Sequence, residues 1–107
     1  MPRAKTPEEV RGELLAHIKT ISRYWAGLPN KTPRERCDGV AFSILVLLDG
    51  MANFPAVDLA LQPHQDDQAF YVEQGENWYE PGMVINDCQL HDEFVHPDSP
   101  TVGGADE

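Results

Sequence analysis

Eight side chains able to bind a metal or move a proton crowd the second half of the sequence: His64, Asp66, Asp67, Cys88, His91, Asp92, Glu93 and His96. Cys88 and His91 are the tightest pair, and residues three apart share one face of a helix. With His64 they make up one reading, a small metal-binding domain or metal-dependent enzyme. A structural zinc site takes four ligands in closely spaced pairs. The second pair is missing here unless His64 and an acid supply it. Solvated polar groups near a helix end explain the cluster more simply, so no cofactor is expected. The acid pairs Asp66/Asp67 and Asp92/Glu93 are adjacent in sequence, so their side chains diverge and suit solvation better than paired acid/base work. Ser22 and Ser43 sit in helical patterns without the elbow that exposes a nucleophile. Ser43 is expected to bond back to a backbone carbonyl. The glycines are scattered, and no phosphate-cradling loop is present.

Charge is the more unusual chemistry. All eight Lys and Arg fall in residues 1–36, which carry +4; residues 37–107 hold fourteen acids and no Lys or Arg, and carry −14. A single-sign segment of that length either solubilises the fold and pairs with the basic first helix, or forms a surface for a basic partner. The candidate binding residues are Asp58, Asp66, Asp67, Glu73, Glu76 and Glu80, with Trp78 and Tyr79 as aromatic anchors among them. Trp and Tyr bury large areas at little entropic cost, which suits an interface. The plainer alternative has both rings capping the core, Trp78 the deeper. A third reading is weak nucleic-acid binding through the cations of the first helix. The acidic half opposes it, and no helix-turn-helix pattern accompanies it.

These groups must be held by a small framework. Thr32-Pro33-Arg34-Glu35 is a capping box with Pro at the first helical position. Val40–Leu48 is apolar except for Ser43, a pattern expected of a helix buried on every side. Asp49 and Gly50 close it, with Gly50 suited to a left-handed C-terminal turn. Thr6-Pro7-Glu8-Glu9 repeats the start signal. From there Val10, Leu14, Ile18, Ile21, Trp25 and Leu28 draw one stripe at helical spacing, ending near Gly27. The short turn Leu28–Lys31 predicts an antiparallel helical hairpin. Met51–Pro55 is a predicted loop. Val57, Leu59 and Leu61 alternate with polar or small residues as a half-buried strand does, and Met83–Ile85 is a second strand candidate able to pair with it. Short helices are expected in Gln65–Gln74 and Asp87–Phe94. Cys37 is expected to be a reduced, half-buried packing residue, and a disulfide with Cys88 is disfavoured. The N-terminus carries charge but no apolar signal region, and no apolar run approaches the ~20 residues that span a bilayer. A cytoplasmic protein with no membrane partner is therefore expected.

The patterns R-Y-W-x-G-L-P-N (Arg23–Asn30), G-x-A-F-S-x-L-V-x-L-D-G (Gly39–Gly50), G-E-N-W-Y (Gly75–Tyr79) and I-N-x-x-x-L-H-x-x-F (Ile85–Phe94) resemble a family of small uncharacterised proteins found in proteobacterial and phage genomes. The resemblance covers about residues 23–94 and implies a mobile-element setting. It implies no activity and transfers no functional residue.

The expected fold is α+β: a helical hairpin with a buried second helix, covered by a small irregular sheet of two or three strands and short helices. Residues 1–96 form one domain, and 97–107 a disordered acidic tail. The expected function is non-enzymatic: an acidic module that binds, and thereby inhibits, a basic nucleic-acid-binding host protein, as an anti-defence protein or DNA mimic does.

Overall fold

A computed structural model of the chain describes residues 1–102. Four helices follow in order: α1 (Pro7–Ala26), α2 (Pro33–Leu48), α3 (Asp67–Glu73) and α4 (Leu90–Val95). Both capping boxes form. Thr6 Oγ accepts from the Glu9 N–H and Thr32 Oγ from the Glu35 N–H, while each Glu carboxylate accepts the N–H of its Thr. At the first box the Arg3 guanidinium grips Glu9 at 2.9 and 3.0 Å. That pair, followed by the Thr6 amide, pulls the Glu9 carboxyl down to about 2. Thr32→Ala removes the hydroxyl that accepts the Glu35 N–H at the start of α2 and is expected to cost about 1 kcal/mol. A urea melt with an unmoved midpoint would contradict it.

Trp25, near the end of α1, donates from Nε1 to Ser43 Oγ at 2.9 Å. Phe54, just past α2, packs edge-on against His17 in the middle of α1. The two helices therefore run antiparallel. Gly39 is buried at their crossing, where an added Cβ would lie 2.4 Å from the Trp25 ring. Gly39→Ala is thus expected to overpack this crossing and cost about 1–3 kcal/mol. Shaving the indole in the double variant Gly39→Ala/Trp25→Leu should recover part of the loss in a thermal melt. Arg36 closes the hairpin turn by donating from Nη2 to the Leu28 carbonyl at 2.8 Å.

The α+β expectation is overturned. Helix makes up 48% of the structure and no sheet forms among the described residues. The two strand candidates meet at one antiparallel bridge, Ala60 with Val84. The Leu61 N–H donates to the Met83 carbonyl and the Ile85 N–H to the Leu59 carbonyl. Beyond that the ladder stops for local reasons. Pro63 lacks a donor, and Gly82 turns at φ +77°. At the other end the Asn86 side chain replaces backbone, accepting from the Leu59 N–H at 2.8 Å and donating to the Val57 carbonyl at 2.6 Å. The alternation itself is visible, with Val57, Leu59 and Leu61 half-buried and Asp58, Ala60 and Gln62 exposed. Alternation requires one covered face, which this ribbon has, but not a sheet.

The fully buried second helix is also corrected. In α2 only Gly39 and Leu47 are buried, and Val40–Val46 are half-buried. The cause is the shape of the molecule, which measures 50 × 50 × 20 Å with a radius of gyration of 17.6 Å. A compact domain of this length has about 13 Å. Among the described helices, only α1 and α4 pack against α2. Leu47 at 1% exposure and Phe54 at 7% are the buried apolar side chains of the described chain. Cys37 is exposed rather than half-buried, and both cysteines are free. In the expected tail, the Ser99 N–H turns back on the His96 carbonyl. Ser99, Pro100 and Thr101 line a groove of about 830 Å³ with Trp25, Phe42 and Phe94. The rest of that tail, 103–107, lies outside the described residues.

Candidate functional site

Residues 57–86 form an arm that grows from the end of α2. At its base the Val57 N–H donates to the Leu48 carbonyl at 2.9 Å. The bridged ribbon carries the chain outward to α3 and the aromatic turn beyond it. At the tip, Tyr71 stacks edge-on against both Phe70 and Tyr79, and the Glu76 N–H donates to the Tyr71 carbonyl. No other helix packs against α3. Among the described residues, no hydrogen bond or ion pair ties residues 60–85 to α1 or α2.

All eight sequence-predicted binding residues fall on this arm. Asp58, Asp66, Glu73, Glu76 and Glu80 are exposed. Asp67 is half-buried, because its Oδ2 accepts from the His64 N–H at 3.2 Å. Trp78 is 42% and Tyr79 58% exposed, so neither ring caps the core. Trp78 Nε1 reaches Glu80 Oε1 at 3.4 Å. Phe70, Val72, Met83, Val84 and Ile85 add further exposed apolar surface. The cations that could neutralise these acids do not reach them. Among the described residues, the Lys and Arg ion pairs are Arg3–Glu9, Lys5–Glu13 and Arg34–Asp38, all within residues 1–38. The arm is therefore an acidic, aromatic-studded projection whose charges face solvent.

A second constellation, absent from the sequence reading, sits where α2 meets α4. Asp49 Oδ2 accepts from the His91 N–H at 2.9 Å and contacts His91 Nδ1 at 2.6 Å. Helix α4 has no side-chain cap of its own at Gln89, so Asp49 caps it from across the fold. Phe42 packs edge-on against the same imidazole. The Asp49 side chain is 1% exposed and that of His91 16%. Burial pushes the Asp49 carboxyl upward, but the His91 amide and ring, the Leu90 amide and the His91 charge together hold it below its ordinary 3.8. The body is only 20 Å thick, which limits the dehydration they must overcome. Oδ1 is buried without a hydrogen-bond partner among the described residues. Because the folded value is depressed, this contribution is complete above the unfolded value and is lost as pH falls through the folded one. Stability should therefore drop below about pH 4, and Asp49→Asn should flatten that part of a urea-melt profile. A profile unchanged by the substitution would contradict the assignment.

The dyad does not make a nucleophile of Cys88. Burial, then Glu93, Asp87 and Asp49, push that thiol up rather than down, the opposite of what a reactive cysteine needs. Nor are Cys88, His91 and His64 brought together. His91 Nδ1 is committed to Asp49, while His64 Nδ1 accepts from the Asp66 N–H on the arm. Among the described residues no three His, Cys, Asp or Glu side chains group to hold a metal ion. No described helix is long and apolar enough to cross a membrane.

No family model matches this chain, and no curated protein or solved structure matches it either.

Proposed function

We propose that the chain is a non-enzymatic binding module whose acidic arm captures a basic protein. The observation that carries this reading is the uncompensated arm: none of its acids lies within ion-pair distance of a Lys or Arg among the described residues. Trp78, Tyr79 and Phe70 are exposed among those acids. Steering charges and aromatic anchors thus share one surface, a combination that speeds encounter and then holds the partner. In the mobile-element setting implied by the family resemblance, the partner is a nucleic-acid-binding host protein of the cytoplasm. The module acts there as an inhibitor or anti-defence protein, its carboxylates standing in for phosphates.

The reading is tested by affinity capture from a proteobacterial lysate at low salt, read by mass spectrometry. The bait is compared with the variant Asp66→Asn, Asp67→Asn, Glu76→Gln, Glu80→Gln. A basic protein retained by the native chain and lost by the variant is the expected result. Identical captured sets would contradict it.

A further inference from the structure

The chain exposes too much surface for a finished monomer. Its accessible area is 8645 Å², whereas a compact 12 kDa monomer exposes about 6,000 Å². The surplus of about 2,600 Å² is shared between the projecting arm and the exposed chain ends. A two-stranded ribbon alone is marginal in water and needs something packed on it. Half the surplus, mirrored on a second copy, already gives about 2,600 Å² of total interface, within the range of permanent dimers.

The chain also carries a surface complementary to its own arm. On α1, Arg11, Leu15, Lys19 and Arg23 recur every four residues and so form one ridge. This ridge runs beside the half-buried Val10, Leu14, Ile18 and Trp25 stripe and is exposed along its length. Leu15 is 53% exposed in its midst. Arg11, Lys19 and Arg23 have no acid within ion-pair distance among the described residues. Three unpaired cations around an exposed leucine match an arm of carboxylates around exposed aromatics. Contact between two arms would instead place like charges together, which costs several kcal/mol.

We propose that two copies form a reciprocal dimer, the arm of each lying along the Arg11–Arg23 ridge of the other. Such an exchange is closed and two-fold, since each copy gives one arm and one ridge. It rests on reading the arm as a binding surface, and it makes α1 of a second copy a competitor of any basic partner.

Sedimentation equilibrium of the purified native chain tests this without any partner. At low salt the expected mass is twice the 12.0 kDa of the chain. The dissociation constant should rise at least about tenfold at high salt, because exposed ion pairs are screened. Two charge-reversed variants locate the contact. One carries Arg11→Glu, Lys19→Glu and Arg23→Glu; the other carries Asp66→Lys, Asp67→Lys, Glu76→Lys and Glu80→Lys. Each should be a monomer with a native-like circular dichroism spectrum, and mixing them should restore the dimer mass. A monomeric native chain at low salt, a dimer indifferent to salt, or a mixture that stays monomeric each overturns the proposal. A monomeric native chain that still captures a basic protein through its acids sinks the dimer alone and leaves the binding reading standing.

Discussion

Leu47→Ala should lower the free energy of unfolding by about 3 kcal/mol, within the range of large-to-small changes at buried leucines. Leu47 is 1% exposed and is the largest fully buried side chain of the described chain. It sits where the end of α2 carries both the loop to Phe54 and the base of the arm. A thin molecule has few atoms to collapse into the hole, so relaxation recovers little of the loss. Leu45 is only half-buried, and Leu45→Ala should cost clearly less. Urea melts of both variants at constant slope check this. Equal losses, or a Leu47→Ala loss under about 0.5 kcal/mol, would show that the core lies elsewhere.

Asp49→Ala should be the next most damaging change, at about 2 kcal/mol. It leaves the His91 amide and ring without their acceptor and removes the cap of α4. Truncating one member of a buried pair costs about 3–5 kcal/mol, and His91, still partly open to water, recovers some of that. The damage should be local in kind. Amide exchange in α4 should accelerate while the α1 amides keep most of their protection. Uniform acceleration in both helices would mean that Asp49 acts through the whole core rather than as a brace for α4.

Local signals were readable in the sequence wherever the physics is local. The two Thr-Pro-x-Glu boxes fix both helix starts because cap, proline and glutamate act within one turn. The apolar stripe of α1 and the alternation at Val57, Leu59 and Leu61 describe one covered face each, and each covered face exists. Other features depend on what arrives from far away in the chain. Asp49 and His91 are 42 residues apart, and no spacing rule links them. Asn86 replaces a strand with one amide, which no alternation pattern anticipates. The run Val40–Leu48 implied burial on every side, but apolar sequence records a demand for cover and not which molecule meets it. The same holds for the arm: its acids were legible as a charge split, and their lack of Lys or Arg partners among the described residues needed the fold.

In the proposed role the arm acids act outward, on a basic partner, rather than inward on the fold. The most direct measurement is the association rate with the basic protein that the native chain captures, followed across salt, for the native chain and the Asp66→Asn, Asp67→Asn, Glu76→Gln, Glu80→Gln variant. Thermal melts of both are run alongside. The native rate is expected to fall at least about tenfold from low to high salt. The variant is expected to associate slowly at every salt concentration while keeping a cooperative melt and a native-like circular dichroism spectrum. A native rate indifferent to salt, with a variant that binds as fast, would contradict an outward role for these acids.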